Sequence, residues 1–321
     1  MISRIAVQMD PIDTMVVERD TSLAFMVEAQ ARGMEVWWFH PEDLMVDRGV
    51  VQAIAQRVKV QVKPGAHYEA LEKARVDIGH FDAVLIRQDP PFDMGYVTNT
   101  YLLEQAAEET LILNDPRGVR NIPEKLSTLA FADLTPSTFV GRNVEAIVEF
   151  AKNFPRVVMK PAFLAGGEGV IKADRDDPGL AAAVRAMLSA SGKEPIIVQA
   201  FIEGVYQGDK RVFVLDGEVI GAVRRMPAAG EFRANLHVGG QAVATDLDER
   251  DREIAARVAP LLKEQGVLFA GLDVIAGFLT EINVTSPTLI QELKRFRGID
   301  IAALFWDKAE AWAARRSAES A

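Results

Sequence analysis

An α/β fold in two parts is expected from this chain: a doubly wound parallel sheet over residues 1–122, then an α+β unit from Pro123 onward. Three observations carry the expectation. Short apolar strands alternate with helical segments in the first third, the pattern of parallel βαβ construction. Hairpin-type strands dominate the last third, with Asp216-Gly217 as one turn. The stretch GLDVIAGFLTEINVTSP (271–287) reads as two strands in which Asp273, Glu281 and Asn283 stand where a structural hairpin would place Val, Ile or Thr.

The elements follow in order. Residues 2–9, containing IAVQM, form the first strand. Asp20-Thr21 caps a helix with apolar Leu23, Phe25, Met26 and Ala29, which stops at Gly33. VWWF (36–39) and AVLIR (83–87) are strands, the loop DPPFD leads to a helix near 95–109, and LILN (111–114) is a fourth strand. Residues 40–80 are polar and ambiguous. No GxGxxG follows the first strand, so a dinucleotide fold is not indicated. In the second unit a helix (124–132), a strand (138–141) and a helix (143–153) precede VVMK (157–160) and GVIKA (169–173), which flank a Gly-rich loop. A helix (179–190) leads to IIVQAFI (196–202) and the hairpin KRVFVLDGEVIGAVRR. An aperiodic segment (226–240), a helix (248–265), the acidic hairpin and a helix (300–315) complete the chain.

Composition narrows the function. At 321 residues the chain is long enough for about two domains. A net charge of −10 argues against a general nucleic-acid binder. The absence of Cys excludes disulfides, thiolate zinc sites and a thiol nucleophile, and fits a reducing, cytoplasmic setting. MISRIAVQMDP lacks the features of a secretory signal, and the longest apolar run, 266–279, carries Asp273, so no membrane span is expected.

The acidic hairpin is the most chemical feature. Carboxylates in apolar company are costly to desolvate unless compensated, and Mg²⁺ takes such hard oxygen ligands. Alternation puts Glu281 and Asn283 on one face. A two-residue loop at Ala276-Gly277 would send Asp273 to the other face. A three-residue loop pairs Ile275 with Leu279 and sets Asp273 across from Glu281. We expect the second register, because it alone brings three oxygen ligands together around a cation. The alternative is an edge hairpin with one solvated face.

Other residues gather meaning by position. Lys160 ends a strand before AFLAGGEGV, where Gly166, Gly167 and Gly169 can turn backbone N–H groups toward phosphate oxygens. Gly-Lys-Ser/Thr is absent, so this is no Walker A loop. Lys125, taken alone, reads as a solvated lysine. Lys210 and Arg211 open a strand whose return carries Arg224 and Arg225, and alternation lets one of each pair face a site beside the acidic hairpin. Gln199 to Glu203 can offer backbone groups to an adenine edge, and Asp209 can accept from a ribose hydroxyl. Arg233 and Asn235, among small residues, suggest a lid. Asp10, Arg87 and Asp89 follow strands, at the sheet end where open α/β folds bind ligands. Thr285 and Ser286 precede a helix, where they can cradle a carboxylate or cap the helix.

Together these segments resemble the prokaryotic glutathione synthetases of the ATP-grasp superfamily. The resemblance runs through most of the chain, on MDPI (9–12), IRQDPPFD (86–93), LNDPRGVRNIPEKL (113–126), DLTPST (133–138), GDKRV (208–212), FRANLHVGG (232–240), LKEQG (262–266), GLDVI (271–275) and TEINVTSPT (280–288). DPPF and TEINVTSP are its narrowest motifs. The Gly-rich loop departs from the pattern: Phe163 and Leu164 stand where a smaller, more polar turn is usual.

The resemblance implies a preATP-grasp domain (1–122), a central lid subdomain (123–200) and a C-terminal ATP-grasp domain (201–321), with ATP between two antiparallel sheets. It implies ATP contacts from Lys125, Lys160, Gly166, Gly167, Gln199, Ala200, Phe201, Ile202, Asp209 and Lys210. Asp273, Glu281 and Asn283 would hold Mg²⁺, or Mn²⁺ in its place. Arg211, Arg225 and Arg233 would act on the transferring group, and Asp10, Arg87, Asp89, Asn235, Gly239, Gly240, Thr285 and Ser286 on γ-glutamylcysteine and glycine. A homotetramer is the family's usual assembly. The rival readings are another carboxylate–amine ligase, a non-catalytic ATP-binding regulator and a small-molecule kinase.

Overall fold

Four parallel strands, in the order β2-β1-β6-β7, form the centre of the N-terminal region: β1 (Arg4–Gln8), β2 (Glu35–Phe39), β6 (Ala83–Ile86) and β7 (Leu111–Leu113). The computed structural model describes residues 2–192, 194–234 and 239–319. Helix α1 (Thr21–Ala31) joins β1 to β2, and α2 (Met94–Glu104) joins β6 to β7. Asp20 caps α1, accepting from the Leu23 N–H at 2.7 Å. Alternation divides the strands' side chains between the helices. Ile5, Val7 and Leu85 share a core with Leu23, Phe25 and Met26 of α1, whereas Ala6, Val84 and Ile86 pack with Tyr96 and Leu103 of α2. Helices thus cover both faces, as the doubly wound reading requires.

The ambiguous residues 40–80 turn the sheet into a mixed one. β4 (Val50–Val60) adds antiparallel to β2, and β3 (Leu44–Asp47) and β5 (Tyr68–Asp77) each pair antiparallel with β4, making seven strands in all.

The second region holds two antiparallel sheets. One has the order β10-β9-β11-β8: β8 (Thr138–Gly141), β9 (Arg156–Pro161), β10 (Ile171–Asp174) and β11 (Ile196–Ala200). After the short α3 (Pro116–Asn121), helices α4 (Val144–Ala151) and α5 (Leu180–Ala190) cover the face made by Val157, Met159, Ile196 and Val198. Lys160 and Gln199 are left on the opposite face by alternation.

The other sheet has the order β14-β13-β12-β15-β16: β12 (Asp209–Leu215), β13 (Glu218–Met226), β14 (Gln241–Ala244), β15 (Phe269–Ile275) and β16 (Phe278–Asn283). Helix α6 (Glu249–Glu264), started by an Asp248–Asp251 capping box, covers Val212, Val214, Leu272 and Val274. Helices α7 (Ile290–Arg297) and α8 (Ile301–Glu319) return to the N-terminal region, where Phe305 stacks on Phe25 at 4.3 Å. Buried Asn114 ties the regions together. Its amide donates to the Phe269 and Val284 carbonyls, and its oxygen accepts from the Leu268 and Phe269 N–H groups. No helix among the described residues is long and apolar enough to cross a membrane.

Candidate active site

A cavity of about 790 Å³ lies between the two antiparallel sheets and opens onto the strand ends of the N-terminal sheet. Its floor is the face of the C-terminal sheet that α6 leaves uncovered. Asp209 and Arg211 on β12, Arg225 on β13, Asp273 on β15, and Glu281 and Asn283 on β16 all line it.

The hairpin that carries the carboxylates reaches the expected pairing by an unexpected route. Ala276 and Gly277 form a two-residue turn with φ of 48° and 81°, and Ile275 pairs with Phe278. By strict alternation Asp273 would then face away from Glu281. A β-bulge at Thr280 adds one residue to β16, so Asp273 still lies opposite Glu281 and Gly271 opposite Asn283. The three-residue loop expected from the sequence is therefore replaced by a tight turn plus a bulge. The Thr280 hydroxyl closes it, donating to the Asp273 carbonyl at 3.1 Å.

Two arginines dominate the floor. Asp273, only 4 % exposed, accepts from Arg211 Nε at 2.6 Å and pairs with Arg225 Nη2 at 2.9 Å. Arg225 Nε also donates to Asp209 at 2.6 Å. Burial alone would raise the Asp273 pKa, but the two guanidinium groups outweigh it and hold the carboxyl below its ordinary value. For Asp209 burial wins, and its pKa is raised despite Arg225.

Glu281 differs. Among the described residues its carboxylate has no hydrogen-bond or ion-pair partner. Glu124 is nearby, with its carboxylate accepting the Thr285 hydroxyl at 2.9 Å. Burial, and next the charge of Glu281, push the Glu124 pKa up to about 7. Asn283 spends its amide N–H on the Gly271 carbonyl at 3.1 Å, which leaves its oxygen for a cation. An unpaired carboxylate, a second one crowded against it and a free amide oxygen fit a hard divalent ion. No cluster of three or more His, Cys, Asp or Glu suited to a metal occurs among the described residues, on this floor or elsewhere, so the cation here would rest on Asn283 as well as on carboxylates.

The roof is the other antiparallel sheet. Lys160 lines it without a bonded partner among the described residues; burial lowers its pKa, against the pull of Glu281 and Asp273. Gln199, Ala200, Phe201 and Ile202 form one edge, with Gln199 Nε2 donating to Thr138 at 2.9 Å. Gly166 and Gly167 have φ of 65° and 78°. A Cβ at Gly166 would touch nothing, so the glycine is required by backbone conformation rather than by space. Over this edge lie Phe232, Arg233 and Ala234, and Arg233 Nη1 reaches the Gly167 carbonyl at 3.5 Å. Asn235 lies outside the described residues.

Asp10, Arg87, Asp89 and Ser286 line the N-terminal wall. Asp10 accepts from the Asp89 N–H at 2.8 Å, and the Ser286 hydroxyl donates to Asp89. Buried Arg87 is held by the Ser22 hydroxyl and the Pro287 carbonyl at 3.1 and 3.2 Å. Burial lowers its pKa, with Asp89 and Asp20 opposing.

Several expected residues stand off the lining. Lys210 points to the α6 side of the sheet, where its ammonium meets Asp248 at 2.5 Å and Asp251 at 2.6 Å. Alternation allows only one of Lys210 and Arg211 to face the cavity, and Arg211 does. Lys125 donates to the Leu164 carbonyl, supporting the Gly-rich loop from behind. Thr285 serves Glu124, and α7 begins only at Ile290 without a side-chain cap, so neither Thr285 nor Ser286 caps it. Gly239 and Gly240 border β14 and are not part of the lining. Sequence reasoning passed over Glu124, although it stands beside Lys125 within the PEKL motif.

Known proteins resemble both parts of the chain. Residues 3–120 match the family described as prokaryotic glutathione synthetase, N-terminal domain, and residues 124–298 match prokaryotic glutathione synthetase, ATP-grasp domain. A glutathione synthetase of Mesorhizobium japonicum is 45% identical over 307 residues, 96% of this chain and 98% of the relative. That of Brucella melitensis is 43% identical over 311 residues, 97% and 99%. Among solved structures, D-cycloserine synthetase DcsG superposes with a TM-score of 0.69 at 18% identity, over 98% of this chain and 100% of that one. ATP-grasp ligase PsnB complexed with a minimal-precursor variant, Mg and ADP gives 0.63 at 20% identity, over 97% and 99%. These two show the fold alone, whereas the family matches and full-length relatives go further: this chain belongs to the prokaryotic glutathione synthetase family.

Proposed function

We propose that the chain is an ATP-dependent carboxylate–amine ligase that joins γ-glutamylcysteine to glycine, giving glutathione, ADP and phosphate. One observation carries the reading beyond family membership. A single cavity sets the unpaired Glu281 and the arginine-clamped Asp273 beneath the unpaired Lys160 and the Gly-rich loop. This is an arrangement of cations and carboxylates suited to polyphosphate.

In this reading the γ-phosphoryl group of ATP goes to the cysteinyl carboxylate, the glycine amine attacks the acyl phosphate, and phosphate leaves. No protein nucleophile is required, so catalysis is positioning and charge stabilisation. Lys160 and the N–H groups of Gly166 and Gly167 hold phosphates, with Lys125 fixing the loop. Gln199 to Ile202 border the adenine, and Asp209 the ribose. Arg211, Arg225 and Arg233 stabilise developing negative charge. Asp10, Arg87, Asp89 and Ser286 orient the acid substrate, and Asn235 contacts substrate. Glu281 and Asn283, joined by Asp273 once its carboxylate turns from the two arginines that hold both its oxygens here, would hold Mg²⁺, or Mn²⁺ in its place, which would supply charge neutralisation at the phosphates. The segment 226–240, whose Phe232, Arg233 and Ala234 line the cavity, would exclude water that would otherwise hydrolyse the acyl phosphate.

The proposed modules are 1–122, 123–200 and 201–321, the proposed assembly a homotetramer, and the proposed location the cytoplasm. A coupled ADP-release assay across dipeptide and amine pairs tests the reading: turnover requires γ-glutamylcysteine and glycine together. Preference for another acid–amine pair would replace it.

A further inference from the structure

The Gly-rich loop carries Phe163 just before its glycines, and nothing in the chemistry above uses the Phe163 side chain. Its surroundings do. The Phe163 ring stacks on Phe92, with centroids 6.4 Å apart and planes 27° apart. The Phe163 carbonyl accepts from the Phe92 N–H at 3.2 Å. Phe92 in turn packs against buried Tyr96 of α2 at 5.1 Å. Phe92 closes the Asp89-Pro90-Pro91 turn, and the N-terminal wall of the cavity is fastened there by Asp10 and Ser286. The first half of the phosphate loop is therefore anchored to the acid-substrate loop of another sheet, three residues before the glycines.

From this juxtaposition we propose that Phe163 is a positioning residue that couples the acid-substrate loop to the phosphate loop, so that occupancy of one orders the other. The proposal rests on the nucleotide and acid-substrate assignments above. A small polar residue at this position would leave the loop tied to residues 89–93 by the backbone hydrogen bond alone. The aromatic pair adds a second tie, and any ordering of the Asp89 turn by substrate reaches Gly166 through two rings and a backbone hydrogen bond. Such coupling is reciprocal: the acid substrate tightens nucleotide binding by the factor by which nucleotide tightens the acid substrate.

The test is a double-mutant cycle in the full-length protein. Dissociation constants of the non-hydrolysable ATP analogue AMPPNP with Mg²⁺ are measured with and without saturating γ-glutamylcysteine. The variants are Phe163→Ser, Phe92→Leu, their combination, and the conservative Phe163→Tyr. Without the dipeptide, each single variant should weaken AMPPNP by about 2- to 10-fold, the span of one aromatic pair. The combination should be no worse than either single change. With it, the wild type should gain about 5-fold or more in AMPPNP affinity, Phe163→Ser should gain nothing, and Phe163→Tyr should recover the gain. In steady state, Phe163→Ser should raise KM for ATP far more than it lowers kcat. Additive losses in the cycle, or a gain that survives in Phe163→Ser, would overturn the proposal. So would a wild-type enzyme that turns over γ-glutamylcysteine yet shows no linkage. Failure to turn over γ-glutamylcysteine would instead overturn the substrate assignment, and the dipeptide-free cycle would still decide whether the two rings act as one anchor.

Discussion

Replacing Glu124 by Gln should stabilise the ligand-free protein, and only above mildly acidic pH. Burial and the Glu281 charge raise the Glu124 pKa from its ordinary 4.5 to about 7. The folded state then holds a proton that the unfolded chain has lost across that interval. The sign follows: with the folded pKa raised, stability falls as pH rises from about 4.5 to about 7 and stays reduced above it. At about 1.4 kcal/mol per pH unit the ceiling is about 3 kcal/mol, and solvent screening of a half-buried side chain lowers the expected effect to about 1–2 kcal/mol. Gln keeps an acceptor for the Thr285 hydroxyl at the site of the 2.9 Å bond and deletes the repulsion from Glu281. The assay is urea denaturation in EDTA at pH 5 and pH 8, wild type against variant. A gain of about 1–2 kcal/mol at pH 8 that shrinks toward zero at pH 5 is expected. An equal change at both values, or a loss at pH 8, would refute the account of two carboxylates crowded on the cavity floor.

Three further outcomes follow. Glu281→Gln should cut kcat by about 100-fold or more while leaving the ligand-free melting temperature unchanged or higher, since it relieves the same repulsion; steady-state kinetics and calorimetry check both halves. Lys210→Met should destabilise by about 2–4 kcal/mol, because Asp251 is left buried without its cation, yet change KM for ATP less than about twofold. Denaturation and kinetics together test whether Lys210 belongs to α6 rather than to the nucleotide. Asn114→Ala should cost about 3 kcal/mol, since four backbone groups lose their partner, and a loss under about 1 kcal/mol in denaturation would show the regions held together by other means.

Much of the molecule was legible in the sequence where one periodicity governs one element. The parallel strands and their helices, the Asp216-Gly217 turn and the α6 helix all follow from local pattern. Two of the gaps share a physical cause, the β-bulge, which shifts alternation without a signature in composition. In β4 the buried positions run Val51, Ala53 and Ala55, then skip to Val58 and Val60. The register slips between Gln56 and Val58, so the period-two signal breaks midway and residues 40–80 looked irregular. The Thr280 bulge acts in the opposite direction and brings Asp273 to Glu281 although the turn alone would separate them. Facing was the other gap. Adjacent cations such as Lys210 and Arg211 occupy opposite sides of a strand, and the choice is made by Asp248 and Asp251, which lie some forty residues further along the chain. Glu124 was hidden for a similar reason. Its meaning comes from Glu281, which only tertiary structure places beside it.

The most direct measurement is product formation by purified protein supplied with ATP, Mg²⁺, γ-glutamylcysteine and glycine. One glutathione per ADP released, silence when either acceptor or acid is withheld, and loss of both products in Glu281→Gln are the results expected. Glutathione formation undiminished in Glu281→Gln, or ADP release with no peptide bond made, would contradict the account.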